Sequence, residues 1–438
     1  MSDERSFERA LTGLLEASHL TSFDGLPGLI AEHIGEAGLK EVLVYLVDMQ
    51  QTVLRLVTGR GLDAHQDAGA APAERRVEGS LAGRAYQQVR ILPAKGSGEA
   101  EASPGECWWV PLLDGTERLG VLRVRAAADA PAENILIERM RHLASLIALI
   151  LSSVRQYSDS YARLVRTRPM NVAAEMEWNL LPPLTFANDR VAIGAVLEPA
   201  YEIGGDAFDY ALADNTVHLA VFDAMGHDVI AGVTANLAMA SCRNQRRQGT
   251  PLDEISDGIE AILLEEFGED TRFVTGILAD LDTRTGVLSW VNRGHHPPVI
   301  IREGRWTSRL SCPPAHPMGM DLNVPVTLCT EQLQPGDRLL LYTDGITEAR
   351  DRHGREFGLQ RFVDFVIRHM ADGYPIPETL RRLIRTLLDD HVNSLGDDAT
   401  VLLMEWHGPP GARHGDPQKT SRLATGSDRP VDVVQKSP

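Results

Sequence analysis

Five aspartates sit where short apolar segments give way to glycine-rich or helical turns, and acids so placed can hold metal ions. They are Asp206 and Asp209 in Gly204-Gly205-Asp206-Ala207-Phe208-Asp209, Asp223 in Val221-Phe222-Asp223-Ala224-Met225-Gly226-His227, Asp344 in Leu341-Tyr342-Thr343-Asp344-Gly345, and Asp397 in Gly396-Asp397-Asp398-Ala399-Thr400. A strand end holds a carboxylate rigidly, and a neighbouring glycine lets backbone and ion approach closely. Several acids converging on one point cannot all stay ionised without a compensating cation. Ligands that are all oxygen favour a hard ion, Mg2+ or Mn2+. The pattern points to metal-dependent chemistry on phosphate.

Such acids need rigid elements behind them. Apolar alternation predicts strands at 191–197, 217–222, 273–281, 287–292, 298–302, 338–342 and 399–405, separated by helices at 229–248, 252–267, 359–370 and 377–395. Asp282-Thr283-Arg284-Thr285-Gly286 reads as a hairpin turn. Two stacked antiparallel sheets with helices outside satisfy this order.

A separate unit is expected upstream, over residues 1–130. Two amphipathic helices precede strands at 41–47 and 52–57, a helix at 79–88, and a hairpin of strands 108–113 and 119–124 about Asp114-Gly115. Trp108 and Trp109 are adjacent, so they face opposite sides of a strand and at least one belongs to the core. Leu136, Met140, Leu143, Ile147, Ile150, Val154, Tyr157, Tyr161 and Leu164 then follow in alternating steps of four and three. A seam of that period predicts a parallel coiled-coil dimer; the competing reading is a helix packed on its own domain. Pro169 ends the pattern, and a short helix over 171–181 is expected, capped by Asn171 and closed by Pro182-Pro183. Its apolar face would be Ala173, Met176, Leu180 and Leu181. The residues after Trp406 are rich in Gly, Pro, Ser and charge and predict a disordered tail over 408–438.

Composition narrows the classes. The 438 residues carry 43 basic and 61 acidic side chains, a net charge of -18, which argues against nucleic acid as a partner. The most apolar stretch, 143–151, is about half of what a bilayer demands. No signal-peptide pattern opens the sequence, and Cys107, Cys242, Cys312 and Cys329 form no CxxC pair. A reducing cytoplasm without membrane attachment is the expected setting.

In element order the first unit resembles a GAF sensory domain, without a recognisable cyclic-nucleotide, haem or bilin signature, so its ligand stays unknown. The second half resembles the bacterial PPM-type serine/threonine phosphatases of the SpoIIE/RsbU group. The matching blocks are Gly204-Gly205-Asp206…Asp209, Asp223-Ala224-Met225-Gly226-His227, Asn292-Arg293-Gly294-His295-His296-Pro297-Pro298, Leu341 to Ala349, and Asp397-Asp398-Ala399-Thr400. The implied fold class is α+β: a GAF-like α/β sensor over 1–130, a coiled-coil and switch-helix linker over 131–184, and an αββα sandwich of two antiparallel sheets over 185–407.

The resemblance also implies roles. Asp223 would bridge two Mn2+ or Mg2+ ions, with the Ala224 carbonyl as a further ligand; Asp206 would hold one ion, and Asp344 and Asp397 the other. Two dications about 3.5–4 Å apart acidify water and clamp phosphoryl oxygens, so no nucleophilic side chain is needed. Asp209 would orient metal-bound water, and Asp398 would cap the strand that follows. Asp228 stands where family members carry glycine and would cap the next helix. Met225 occupies the place of a histidine acid in the wider superfamily, leaving His227 or water as substitutes. His295 and His296 read as a structural turn, and Arg293 as a phosphate contact or a solvated side chain. Implied partners are a phosphorylated STAS-type anti-sigma-factor antagonist and a second copy of the chain. The alternative is a non-catalytic scaffold that binds such partners.

Overall fold

The computed structural model describes residues 2–59, 74–94, 107–128, 130–202, 204–226, 228–268, 270, 272–390 and 397–409. The chain divides into one unit ending at Arg168 and another running from Pro169. The expected tail from 410 onward lies outside the described residues.

In the first unit, helices α1 (Ser2–Ser18) and α2 (Leu26–His33) lead into strands β1 (Leu39–Val47), β2 (Val53–Leu56) and β3 (Glu74–Arg76). Helix α3 (Leu81–Gln88), strands β4 (Leu92–Pro93), β5 (Cys107–Asp114) and β6 (Glu117–Ala126), and helices α4 (Glu133–Val154) and α5 (Asp159–Val165) complete it. The sheet order is β3-β2-β1-β6-β5-β4. Trp108 lies in the core beneath α1, α2 and α4, and Trp109 in the core on the α3 face, so the strand's alternation buries both rings on opposite sides.

The heptad seam does not face outward. Leu136, Met140, Leu143, Ile147, Ile150 and Val154 are all buried in this unit's own core. Burying six such side chains stabilises the unit by on the order of 10 kcal/mol, comparable to a domain's whole net stability. Freeing them for a partner would therefore unfold the unit. The helix also stops at Val154, and Tyr157, the next seam position, is 69% exposed. Helix α4 packs on its own unit, the competing reading of the seam, and that compact unit runs to Arg168.

The second unit opens with α6 (Val172–Leu180), where the Asn171 side chain accepts from the Ala174 amide at 2.6 Å. Strands β7 (Thr185–Ala187), β8 (Val191–Glu198), β9 (Asp206–Ala213) and β10 (Thr216–Ala224) follow, then helices α7 (Val229–Arg247) and α8 (Leu252–Phe267). Next come β11 (Val274–Asp282), β12 (Val287–Arg293), β13 (Val299–Arg302), β14 (Arg305–Arg309), β15 (Cys329–Gln332) and β16 (Arg338–Tyr342). The one-turn helix α9 (Asp344–Thr347), helices α10 (Gly358–Ala371) and α11 (Ile376–Asp390), and strand β17 (Ala399–Trp406) close the unit.

Two antiparallel sheets result, ordered β15-β12-β11-β10-β9 and β14-β13-β16-β17-β8-β7. Phe208, Leu219, Val221 and Trp290 from the first share a core with Ile193, Leu341, Leu402 and Trp406 from the second, so these inner faces pack together. The outer face of the first sheet is covered by α7 and α8, and that of the second by α10 and α11. Helices outside two sheets is the αββα arrangement. The segment after Gly205 differs from expectation: Asp206 opens a strand, β9, rather than lying in a turn. Cys312 and Cys329 are joined in a disulfide, a pairing that the spacing of the cysteines did not point to.

Candidate active site

Strand register brings the first two acids together. β9 and β10 pair antiparallel with Asp206 directly opposite Asp223, at the end of the sheet where β10 runs into the α7 loop. Asp344 and Asp397 come from the other sheet: β16 delivers Asp344 at the start of α9, and β17 is preceded by Asp397. Each sheet thus contributes its acids from neighbouring strand ends.

Two glycines permit the approach. A Cβ at Gly205 would lie 2.7 Å from the carbonyl oxygens of both Ala224 and Gly226. One at Gly345 would lie 1.9 Å from the Asp398 carbonyl. A side chain at either position would force the carboxylate-bearing segments apart.

The acids differ in exposure. Asp206 is 3% exposed, Asp223 and Asp344 are partly buried, and Asp397 is exposed. Burial, then the charges of Asp223 and Asp398, holds the Asp206 carboxyl well above the ordinary carboxylate range. Burial, then the charges of Asp344, Asp397 and Asp398, pushes Asp223 up to about 7. The Asp206 Oδ2 accepts from the Thr343 hydroxyl at 2.6 Å, and Thr343 Oγ1 in turn accepts from the Thr400 amide at 2.9 Å. These donors are neutral, so they orient the carboxylate without balancing its charge. A cation would.

The donor set suits a hard ion. Among the described residues no three His, Cys, Asp or Glu side chains close on a point as a ready-made ligand shell. Mg2+ needs no such shell, because it keeps several waters and is bound by one or two carboxylates with substrate phosphate. All-oxygen donors, a backbone carbonyl at Ala224 and mutual repulsion among the acids fit that mode of binding.

His295 is fully buried beside the site, its Nε2 3.0 Å from the Tyr342 carbonyl and its Nδ1 2.7 Å from Thr275 Oγ1. Burial, opposed by the Tyr342 hydrogen bond, lowers its pKa to about 4, so the ring is neutral near neutrality. A carbonyl can only accept, so Nε2 carries the proton and Nδ1 accepts from Thr275. With both nitrogens engaged, His295 ties together the strands that carry Thr275 and Tyr342. His296 is exposed and stacks on the Tyr342 ring.

Other expectations change. Asp209 projects from the opposite face of β9 to Asp206, because three residues separate them along a strand. It meets Arg243 at 2.7 Å and Arg246 at 2.8 Å, and is 1% exposed. That double pairing fastens α7 to the sheet and takes Asp209 away from any metal water. Arg293 is completely buried, donating to the His316 carbonyl and Ser256 and pairing with Asp257 and Glu260. It is neither solvated nor available to phosphate. Asp228 caps α7 as expected, accepting from the Ala231 amide at 2.9 Å. Met225 is 37% exposed beside the site, and His227 lies outside the described residues.

Sequence reasoning missed Thr343 and the part played by Asp398. The Asp398 Oδ2 accepts from the amides of Gly204, Gly205 and Asp206 at 2.8, 2.7 and 3.4 Å, instead of capping β17. The signal available for Thr343 was its place immediately before Asp344 in a strand-end block.

On α6 the buried positions are Ala173, Ala174 and Glu177, whereas Met176 and Leu181 are half-buried and Leu180 is 38% exposed. Burial, then the charge of Asp398, pushes the Glu177 carboxyl up to about 8. Among the described residues no helix is long and apolar enough to cross a membrane.

Parts of this chain are similar to a family model and to known proteins. Residues 213–407 match the family model described as Stage II sporulation protein E (SpoIIE). The chain is 26% identical over 256 residues to Protein IcfG of Synechocystis sp., covering 52% of this chain and 40% of that protein. It is 19% identical over 237 residues to the phosphoserine phosphatase RsbU of Bacillus subtilis, covering 54% of this chain and 69% of that one. A solved structure of the RsbU and RsbW domains of Rv1364c from Mycobacterium tuberculosis aligns with a TM-score of 0.44 at 24% identity, over 52% of this chain and 64% of that one. The stretch similar to the SpoIIE model thus lies within the second unit.

Proposed function

We propose that this chain is a metal-dependent protein serine/threonine phosphatase of a bacterial signalling pathway, with Asp206, Asp223, Asp344, Asp397 and the Ala224 carbonyl as its metal-binding groups. The observation that carries the reading is the cross-strand pairing of Asp206 with Asp223 at the end of one sheet, facing acids from the end of the other. Two Mn2+ or Mg2+ ions, when bound, would supply positive charge for the phosphoryl oxygens and acidify water. The chain's own residues orient that chemistry. Thr343 fixes the Asp206 carboxylate, and His295 holds the strands around it.

The substrate we favour is a phosphoserine or phosphothreonine on a STAS-type anti-sigma-factor antagonist, released under control of a GAF-type first unit. The support is the SpoIIE family match, together with the first unit's order of two helices, strands, a helix and a closing hairpin. A cytoplasmic setting is part of this proposal, and there Cys312 and Cys329 would stand as neighbouring thiols. The homodimer expected from the heptad seam loses that support, since the seam is buried within one chain.

The test compares the full chain, with Mn2+ and with a chelator, on a candidate STAS protein phosphorylated on serine and on a chromogenic phosphate ester. Mn2+-dependent turnover of the phosphoprotein supports the proposal, and turnover of the ester alone would redirect it to small phosphate esters. Tight binding of the phosphoprotein with no turnover under any metal condition would favour the scaffold instead.

A further inference from the structure

We propose that Asp398 is a positioning residue whose carboxylate clamps the Gly204–Gly205–Asp206 segment, and so sets where Asp206 and the Ala224 carbonyl stand for an ion. The clamp stands on geometry alone; its consequence for metal binding rests on the phosphatase reading above.

Asp398 belongs to the β17 side of the unit, and the segment it holds opens β9 in the other sheet. Its Oδ2 accepts from three successive amides, at 2.8 Å from Gly204, 2.7 Å from Gly205 and 3.4 Å from Asp206. The side chain is 5% exposed, so water offers those amides little alternative. Hydrogen bonds to a charged acceptor are the stronger kind, and here they bridge two sheets that share no strand.

The clamped segment touches the rest of the site on its other side. The Gly205 carbonyl accepts from the Ala224 amide at 2.9 Å, and a Cβ at Gly205 would collide with the Ala224 and Gly226 carbonyls. A shift of the segment away from Asp398 would therefore move Ala224 as well as Asp206. Asp398 is itself fixed: its backbone carbonyl lies against Gly345, next to Asp344, and its amide donates to the Asp397 carboxylate at 2.9 Å. One residue thus touches the segments that carry Asp206, Asp344 and Asp397, and reaches the strand of Asp223 through Gly205. Oδ2 is taken by three donors, and through that oxygen the residue acts on the segment that carries the ligands.

The test has two arms on the full chain. In metal-stripped protein, hydrogen exchange at Gly204 and Gly205 should be at least about tenfold faster in Asp398→Ala than in the parent, and within about threefold of it in Asp398→Asn, which keeps an acceptor oxygen. Mn2+ titration followed by electron paramagnetic resonance should show affinity at least about tenfold weaker for Asp398→Ala and nearly restored in Asp398→Asn, with Asp397→Asn as the control that loses a ligand. If Asp398→Ala does not fold, Asp398→Glu serves in its place, because the added methylene carries the oxygen off the three amides and should loosen the segment.

Unchanged exchange in the variant would overturn the clamp. Loss of Mn2+ in Asp398→Asn as severe as in Asp397→Asn would make Asp398 a ligand and overturn the positioning role. A parent protein that takes up no Mn2+ would overturn the metal reading and the positioning role built on it, while the exchange arm would still report the clamp separately.

Discussion

Replacing Asp223 by Asn should stabilise the metal-free protein at alkaline pH and abolish its response to metal. Burial and the charges of Asp344, Asp397 and Asp398 raise the Asp223 pKa from 3.8 to about 7 in the folded chain. A folded-state pKa above the unfolded one gives stability that is full below the unfolded value and is lost as pH rises through the folded value. The parent therefore weakens between about pH 4 and about pH 7 through this group, provided no cation is bound. At about 1.4 kcal/mol per pH unit the ceiling is about 4 kcal/mol. Partial exposure and screening bring the expected gain of Asp223→Asn down to about 1–3 kcal/mol at about pH 8.

For a unit of this size that is a rise in melting temperature of roughly 2–10 °C, measurable by scanning calorimetry on metal-stripped protein. At about pH 3, below the unfolded value, the two proteins should melt nearly together, since Asp223 is then mostly neutral in both states. Saturating Mn2+ should reverse the order, because a ligand at a hundredfold its dissociation constant stabilises the parent by about 2.7 kcal/mol and the variant by little. Equal melting temperatures at about pH 8, or equal stabilisation of both proteins by Mn2+, would refute the reasoning.

Removing both Arg243 and Arg246 as alanines leaves Asp209 buried without a cation and should destabilise the unit by about 3–5 kcal/mol in a denaturant titration. Asp209→Asn, by contrast, should leave Mn2+ affinity unchanged, because that side chain faces α7. Ile147→Lys places a charge in the first unit's core and should unfold that unit, seen as lost cooperative melting with no change from one stable oligomer to another. Reduction of the Cys312–Cys329 link, which spans 17 residues, should lower stability by up to about 3 kcal/mol in the chain-entropy picture, read as a shift in melting temperature with thiol reagent.

Much of the second unit was legible because its strands carry period-two apolar patterns and end in glycine or aspartate. The strands at 191, 217, 287 and 399 and the helices α7 and α8 fall within a residue or two of where those patterns placed them. β9 was missed because Gly204-Gly205 reads as a turn, and only pairing with β10 makes Asp206 a strand residue. The heptad seam misled for a different reason: a 3.5-residue apolar period specifies a buried stripe, not what buries it. The sheet beneath α4 fills that role, and nothing local in the sequence distinguishes it from a second helix. On α6 the same limit appears in reverse. Its longest apolar side chains are only partly covered, while Ala173 and Ala174 are buried, because the close approach of α7 at Gly232 leaves room for alanine alone: a Cβ there would lie 2.9 Å from Ala173.

One argument that these acids are placed for binding is how differently the protein treats four other acids. Asp209 has two arginines, Glu260 has Arg293, Asp337 has Arg302, and Glu378 has Arg381 and Arg382. Each of those charges is balanced where it is buried, as a structural carboxylate must be if it is not to destabilise its surroundings by several kcal/mol. Asp206 and Asp398 receive only neutral donors, a threonine hydroxyl for one and backbone amides for the other, and Asp223 is pushed up by its acidic neighbours. No amide or hydroxyl removes the mutual repulsion that raises Asp206 and Asp223. A fold that supplies arginines to those four acids but none to Asp206, Asp223 or Asp398 holds these three in an arrangement that is unfavourable alone and favourable with a dication. On the proposed phosphatase reading the same electrostatics would make metal uptake a structural event, because an ion that brought catalytic charge would also remove the repulsion between the two sheet ends.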